Sequence, residues 1–360
     1  MLSIIEAVWF FCLLVISLYH LYIFRLRKNH LALKNGADPP GVSIIIAIRN
    51  GTAQLTQNLP EIIHQDYPSF EVIIVDDHSD PAQKKRMEEF ISFWPKVKLV
   101  TSKAPGKKNA LLTGIENSKY DFLLFTDADC RPASRDWIKT MMESGHGKGP
   151  VIGYSPYQKL PGFLNVLIRF ETVMTGIQYL SWAMRGKPYM AVGRNILYPR
   201  ALMIELKPFS HHQDLPYGDD DLGLQVLSDK SVINVAMDAK AHVISIPAAT
   251  WPQWLKQKHR HLSAGHYYKP GKWLQPGVYG IALIGHWFLL PFMFDSLLWW
   301  KWMPIFMAGL LLRWLNYARW TRKLGDNDTA WPYPFLEIIY TIYLAFIGIT
   351  TVVAKKKTWN

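Results

Sequence analysis

Two carboxylates separated by one residue, Asp127 and Asp129, follow an apolar run that is typical of a buried strand. A second apolar run, residues 70–75, ends in the adjacent acidic residues Asp76 and Asp77. Open α/β sheets bind ligands at the carboxyl ends of their parallel strands, and close carboxylates bind a hard divalent cation when phosphate oxygens complete its coordination. The sequence therefore predicts a site for a diphosphate bound with Mg²⁺ or Mn²⁺.

The elements that would position these carboxylates alternate between strand-like runs and helix-compatible stretches. The strand-like runs are residues 42–47, 70–75, 97–101 and 121–125, and the helical stretches are one ending at His64, 84–93 and 107–118. This β-α-β alternation predicts an α/β fold with a doubly wound parallel sheet. We expect a single soluble domain over residues 40–247.

Composition favours a membrane enzyme with reduced cysteines. The chain has 360 residues, of which 49% are hydrophobic and 15 are tryptophan, which is rich for a soluble domain. Its net charge of +12 is dispersed along the chain without a nucleic-acid-binding motif, so a nucleic-acid partner is not expected. The two cysteines, Cys12 and Cys130, provide no disulfide framework and suit a reducing compartment.

A nearly uncharged stretch, residues 4–24, is long enough to cross about 30 Å of hydrocarbon. A cleaved signal peptide carries positive charge before its apolar run, whereas here Glu6 precedes the run and Arg25, Arg27 and Lys28 follow it. We therefore predict a retained transmembrane anchor over residues 1–28 of an integral protein of the cell membrane. The positive-inside rule then makes the following domain cytoplasmic.

Apolar length returns near the other end of the chain. The candidate spans are residues 277–294, 297–312 and 335–353. The middle one contains Lys301 and Pro304, so the total number of spans is predicted as three or four. We expect an interfacial helix over residues 248–274 and transmembrane helices over residues 275–360.

Seven motifs occur in an order that resembles the family-2 glycosyltransferases with a GT-A fold, most closely their membrane-bound branch of cellulose, chitin and hyaluronan synthases and ceramide glucosyltransferase. The resemblance covers roughly residues 42–265. The motifs are residues 43–50, 75–80, 106–111, 127–129, 193–195, 218–222 and 257–260. It implies a GT-A (Rossmann-like) catalytic domain that transfers a sugar from a nucleotide-sugar.

The resemblance implies that Ala47, Asn50, Asp76 and Asp77 form the nucleotide pocket. A carboxylate at the end of the second strand would accept a hydrogen bond from the base, which suits the N–H of uracil or guanine. We expect a UDP-sugar rather than a GDP-sugar. The alternative for Asp76 and Asp77 is an N-cap for the helix that starts near Pro81.

The resemblance also assigns the residues around the diphosphate. Asp129 would be the direct metal ligand, and Asp127 would hold the sugar or ribose and assist at the metal. Lys107 follows a Pro-Gly turn at a helix start, where an ammonium group and free N–H groups attract phosphate. The alternative for Lys107 is a solvated surface lysine.

Three consecutive carboxylates, Asp219, Asp220 and Asp221, precede an apolar helical run. Their mutual repulsion can raise one pKa, which suits a general base that takes a proton from an acceptor hydroxyl. The resemblance favours Asp219 over Asp220 for this role. The family's usual Glu is Gly218 here, and the alternative is an acidic helix N-terminus.

Residues 257–261 occupy the place of the branch's Gln-x-x-Arg-Trp motif. The resemblance implies that Gln257 contacts the nucleotide-sugar, and that Arg260 binds the pyrophosphate more strongly as charge develops in the transition state. His261 replaces the Trp and would lie on the acceptor side together with Gly193 and Asn195. The alternative is a basic, aromatic helix lying on anionic lipid.

The sequence thus predicts an inverting glycosyltransferase, of hexosyl or N-acetylhexosaminyl type, that acts on a lipid or glycan acceptor. Inversion follows from one base and one metal site without a second carboxylate as nucleophile. The alternatives are a processive polysaccharide synthase and a catalytically inactive membrane scaffold.

Overall fold

A computed structural model describes residues 4–26, 39–145, 149–206, 219–263, 268, 271–294 and 299–353. The chain divides into two compact units. The sheet unit comprises residues 29–158 and 183–247, and the helical unit comprises residues 1–28, 159–182 and 248–357. Residues 159–182, which the sequence analysis includes in the soluble domain, belong to the helical unit.

The sheet unit is built around seven strands in the spatial order β3-β2-β1-β4-β7-β6-β8. These are β1 Val42–Ile48, β2 Phe70–Asp76, β3 Val97–Thr101, β4 Phe122–Asp127, β6 Val151–Gly153, β7 Ile196–Pro199 and β8 Asn234–Ala236. A second sheet pairs β5 Cys130–Pro132 with β9 Val243–Ser245. The first four strands of the large sheet run parallel, and β7 is antiparallel to both of its neighbours.

Helices connect and cover these strands. In the sheet unit they are α2 Thr52–Ile63, α3 Pro81–Ile91, α4 Lys107–Glu116, α5 Trp137–Ser144, α7 Arg200–Leu206 and α8 Asp219–Leu227. The central strands consist of apolar runs because both of their faces are covered, and Ile44, Ile45 and Ile46 of β1 have no exposed surface. The predicted α/β fold with a mostly parallel sheet is confirmed.

The helical unit contains α1 Ile4–Leu18, a π-helical turn Tyr19–Ile23, α6 Phe163–Ala183, α9 Trp251–Ser263, α10 Leu274–Met293, α11 Trp299–Leu324 and α12 Tyr333–Val353. Within the described residues, three helical segments are long and apolar enough to cross a membrane: Ile4–Ile23, Leu274–Met293 and Tyr333–Thr350. They coincide with three of the four predicted spans. Of the fourth predicted span, residues 297–312, the part from residue 299 falls in α11, which is not among these segments.

Charged side chains are buried in the helical unit as hydrogen-bonded pairs. Arg313 of α11 and Glu337 of α12 have no exposed side-chain surface, and Arg313 Nε lies 3.1 Å from Glu337 Oε1. Trp287 of α10 donates to the same carboxylate at 3.2 Å. Since an unpaired buried charge is costly in an apolar environment, this group specifies how α10, α11 and α12 pack.

The helix α6 belongs to the helical unit because its charged side chains form ion pairs with other residues of that unit. The Arg169 guanidinium, which is 2% exposed, pairs with Asp326 and Asp328 in the segment that follows α11. Two residues further along α6, Glu171 Oε1 lies 2.8 Å from Lys258 Nζ of α9. These ion pairs fix α6 to two elements that are distant in sequence.

Close packing of α4 on the sheet gives a test of this architecture. A Cβ at Gly114 would lie 2.5 Å from Ile45 Cγ2 and 3.2 Å from Val75 Cγ2. We expect Gly114→Ala to push α4 from the sheet and to lower the free energy of unfolding by about 1–3 kcal/mol, measured as a lower apparent Tm by tryptophan fluorescence in detergent.

The matched control is Gly280→Ala in α10, where a Cβ would have no neighbouring atom within 4 Å. Helix propensity alone should make that variant neutral or slightly more stable. An unchanged Tm for Gly114→Ala would contradict the packing of α4 on β1 and β2.

Candidate active site

The carboxyl ends of β1, β2 and β4 form one edge of the sheet. The parallel register sets Ile48 beside Asp76, and it sets Ala47 of the central strand beside Asp127. The register therefore brings Ala47, Asp76 and Asp127 to the same edge. These are three of the positions that the sequence predicts for the nucleotide-sugar site.

The acidic pair could hold a hard divalent cation. Asp127 is half-buried, Asp129 is exposed, and their carboxylate oxygens lie with the sulfur of Cys130 within 4.8 Å of one another. Asn58 donates to the Ala128 carbonyl at 3.1 Å and thereby fixes the turn between the two carboxylates. Oxygen donors at this spacing suit Mg²⁺ or Mn²⁺, so the donor set fits the predicted cation.

Cys130 is a neutral thiol at this site. Burial, together with the charges of Asp129 and Asp127, raises the pKa of Cys130 well above its usual value. Its sulfur lies 3.2 Å from Asp129 Oδ1, to which the S–H donates. Because metal ligation needs the thiolate, the thiol orients Asp129 and leaves the carboxylates as the ligands for a hard cation.

The local structure at the start of α4 positions Lys107 beside the acidic pair Asp127 and Asp129. Gly106 has a φ of +113°, which favours glycine, and its N–H donates to Asp77 Oδ1 at 2.7 Å. Lys107 Nζ then lies 3.0 Å from Asp127 Oδ1, with both side chains about one-third exposed (32% and 33%). Lys107 is therefore paired with a carboxylate and partly buried, which differs from the alternative of a solvated surface lysine.

The loops after β1 and β2 are hydrogen-bonded to each other. Asn50, with a φ of +53°, donates its backbone N–H to Ser79 Oγ at 2.9 Å and accepts from the Asp80 N–H at 2.8 Å. Asp76 Oδ1 accepts from the Ser79 N–H at 3.0 Å. The N-cap of α3 is Asp80, so the alternative role of Asp76 and Asp77 as that helix's cap is wrong.

Arg194 is a site residue that the sequence analysis missed. Its guanidinium lies 5.1 Å from the ring of Tyr157, and Nη2 donates to the Ser155 carbonyl at 3.2 Å. Burial alone lowers the pKa of Arg194, but electrostatic interactions with Tyr157, Cys130 and the carboxylates of Asp127 and Asp129 outweigh burial and raise that pKa. The signal in the sequence was its place between Gly193 and Asn195 in a recognised motif.

Both the oxygen and the nitrogen of the Asn195 side-chain amide are hydrogen-bonded within the sheet unit. Its side chain has no exposed surface; Oδ1 accepts from Trp137 Nε1 at 3.0 Å, and Nδ2 donates to the carbonyls of Tyr154 and Ala241 at 2.9 and 2.8 Å. This geometry assigns Asn195 a packing role. Its acceptor-side role, and that of Gly193 in the turn before it, stay predictions.

Asp219 and Asp220 lie in the first turn of α8. This placement agrees with the alternative that they form an acidic helix N-terminus. Their side chains lie outside the described residues, so the assignment of the base stays a prediction. Further along α8, Gln225 Nε2 donates to the Tyr189 carbonyl at 2.9 Å. This bond fixes the helix to the segment that leads into Arg194.

The helix α9 of the helical unit carries three predicted site residues, which are Gln257, Arg260 and His261. Gln257 is half-buried, whereas Arg260 and His261 are exposed. Trp254 has no exposed surface, and Lys258 Nζ lies 4.3 Å above its ring while pairing with Glu171. One face of α9 is therefore fixed within the helical unit while Arg260 and His261 face outward.

Comparisons with known proteins agree with this geometry. Residues 43–192 match the family described as Glycosyl transferase family 2. The probable glycosyltransferase YdaM of Bacillus subtilis is 23% identical over 282 residues, which cover 70% of this chain and 64% of that protein. The glycosyltransferase AglE of Haloferax volcanii is 30% identical over 113 residues, which cover 31% of this chain and 37% of AglE.

The chain thus spans less than two thirds of the length of either relative. Among solved structures, the mannosyltransferase PcManGT from Pyrobaculum calidifontis superposes with a TM-score of 0.57 at 16% identity, covering 91% of this chain and 95% of that one. This likeness shows the GT-A fold. Residues 43–192 are thus similar to family-2 glycosyltransferases, and the fold is of GT-A type.

Proposed function

We propose that the protein is a membrane-bound, inverting glycosyltransferase. It transfers a hexosyl or N-acetylhexosaminyl group from a nucleotide-sugar to a hydroxyl group of a lipid or glycan. The observation that carries this proposal is the Asp127–Asp129 pair at the carboxyl edge of the sheet, with Lys107 at 3.0 Å from Asp127. Carboxylates and an ammonium group together suit a metal-bound diphosphate.

The donor lies at the edge formed by β1, β2 and β4. Asp76 or Asp77 accepts a hydrogen bond from the base, Ala47 and Asn50 line the nucleotide pocket, and Lys107 attracts the phosphates. PcManGT was solved in complex with GDP-Man and Mn²⁺, which supports a nucleotide-sugar and a divalent cation. We propose a UDP-sugar as donor, and direct competition between UDP and GDP tests this choice.

Transfer occurs in one displacement. The acceptor hydroxyl oxygen bonds to the anomeric carbon while the bond from that carbon to the diphosphate oxygen breaks, and the hydroxyl proton passes to Asp219. When bound at Asp129 and Asp127, Mg²⁺ or Mn²⁺ would neutralise charge on the departing nucleoside diphosphate. Gln257 contacts the nucleotide-sugar and Arg260 binds the pyrophosphate.

The acceptor side comprises Gly193, Asn195 and His261. Acceptors are identified by incubating native membranes with radiolabelled nucleotide-sugars and extracting the lipids. Label in the lipid fraction supports a lipid acceptor, and label in soluble or polymeric glycan supports a glycan acceptor. No divalent-dependent transfer of any sugar would contradict the proposed activity.

Exposed apolar side chains support a membrane location for the helical unit, and we propose that the sheet unit is cytoplasmic. They recur at helical spacing on each candidate span, for example Phe11, Leu14 and Leu18 on α1. The helix α11 carries a similar stripe at Met307, Leu311 and Leu315. Since Arg313 is fully buried against Glu337, we propose that α11 also lies in the membrane and makes a fourth span.

Metal dependence gives the first test of the site. We expect Asp129→Asn to weaken Mn²⁺-dependent binding of UDP or GDP by more than about tenfold, because changes near a metal ligand commonly cost this much. Isothermal titration calorimetry on the full chain in detergent measures this affinity. The control is Asp136→Asn, which removes a partly exposed carboxylate paired with Lys240 in the same unit. Equal affinities of wild type and Asp129→Asn would contradict the metal assignment.

The base is tested by separating binding from transfer. We expect Asp219→Asn to bind nucleotide like wild type while its transfer rate falls by about 10²-fold or more, because general-base catalysis contributes that much. The neighbouring Asp220→Asn is the matched control and should retain more activity. If Asp220→Asn alone shows the separation, the assignment moves by one residue.

The role of Arg260 is tested by kinetics. We expect Arg260→Ala to lower kcat more than it raises the KM for the donor, because an interaction that strengthens only in the transition state acts on kcat. Lys256→Ala, which removes another exposed charge from α9, is the control. Full turnover of Arg260→Ala combined with weaker attachment to anionic vesicles would make α9 a lipid-surface helix instead.

A further inference from the structure

Two positive side chains balance the two carboxylates at the edge of β4. Lys107 pairs directly with Asp127 at 3.0 Å. Arg194 lies in the field of both carboxylates, since Asp127 and Asp129 are among the charges that raise its pKa. The four side chains together carry no net charge when all of them are ionised.

The sheet register explains why Arg194 lies beside the acidic pair. Strands β4 and β7 are antiparallel, and their pairs run from Phe122 with Pro199 to Phe125 with Ile196. The ladder ends at Phe125 and Ile196, and Arg194 lies in the turn two residues before β7. The turn that precedes β7 therefore lies at the carboxyl end of β4 and carries Arg194, whereas Lys107 comes from the helix α4.

Arg194 keeps hydrogen-bonding capacity that the described residues do not use. Its one hydrogen bond there is from Nη2 to the Ser155 carbonyl, and its buried Nε has no partner among them. It makes no ion pair at contact distance with a described carboxylate. A guanidinium group offers five N–H donors that match phosphate oxygens, so the unused donors suit an anionic ligand.

Charge balance then decides how ligands bind. A divalent cation alone would add two positive charges to a neutral group of side chains. A nucleotide-sugar alone would add one negative charge for each of its two phosphates. Only the two ligands together leave the group neutral, and uncompensated charge in a partly buried site is unfavourable.

We propose that Arg194, together with Lys107, makes the acidic pair a weak site for a free divalent cation and a strong site only when a nucleoside diphosphate group binds at the same time. This inference rests on the proposed function, which supplies the diphosphate. In the complex the cation takes the carboxylates, while Lys107 Nζ and the unused N–H groups of Arg194 bind phosphate oxygens. Arg194 thus contributes to donor binding and to cation selectivity.

The test is the affinity for Mn²⁺ in the absence of nucleotide, measured by calorimetry on the full chain in detergent. We expect Arg194→Gln to bind Mn²⁺ alone at least about tenfold more tightly than wild type, because a nearby charge changes the ion affinity of a carboxylate by about tenfold or more. The same variant should bind UDP or GDP with Mn²⁺ more weakly. Arg194→Lys, which keeps the charge, should bind Mn²⁺ alone like wild type.

The matched control is Arg200→Gln, since Arg200 follows β7 and its backbone N–H bonds to Asp121 at the other end of β4. It should leave both affinities unchanged. Lys107→Met provides an independent variant with the same expected tightening for Mn²⁺ alone, should Arg194→Gln not fold.

Unchanged or weaker Mn²⁺ binding by Arg194→Gln, or tightening equal to that of Arg200→Gln, would overturn the inference. If wild type still binds UDP or GDP with Mn²⁺ in that case, the proposed function stands and only the role of Arg194 is wrong. Wild type that binds neither nucleotide with Mn²⁺ would overturn both.

Discussion

Repulsion between two carboxylates held at the end of one strand is the constraint around which the sheet unit is organised. The carboxylate oxygens of Asp127 and Asp129 lie with the sulfur of Cys130 within 4.8 Å of one another, and like charges at that range repel each other. The surrounding structure offsets this cost in three ways. Lys107 pairs with Asp127, Arg194 supplies a second positive charge, and the neutral thiol of Cys130 donates to Asp129.

Each of these compensating groups comes from a different element, which links local geometry to the site. The positive φ of Gly106 and its bond to Asp77 set the start of α4 and so the direction of Lys107. The turn before the antiparallel strand β7 carries Arg194, and Asn195 beside it is fixed by three hydrogen bonds to Trp137, Tyr154 and Ala241. The site therefore depends on the packing of the whole sheet unit.

The helical unit follows the same rule that buried charge needs a partner. Arg313 pairs with Glu337 and joins α11 to α12, and Arg169 pairs with Asp326 and Asp328 and joins α6 to the distant segment after α11. Such pairs contribute less to stability than to specifying one arrangement, because removing either partner leaves a buried charge. They explain how apolar helices with little directional preference reach a defined packing.

The sequence by itself determined the four parallel strands and the acidic residues at the ends of two of them, because continuous apolar runs and the turns after them are local signals. It also located the first, tenth and last helices by length and hydropathy alone. Only the tertiary structure decided three features: the place of Arg194 at the site, the packing role of Asn195 and the membership of α6 in the helical unit. Each depends on contacts between residues distant in sequence, such as Arg169 with Asp326, and on the register of an antiparallel strand, which no local pattern encodes.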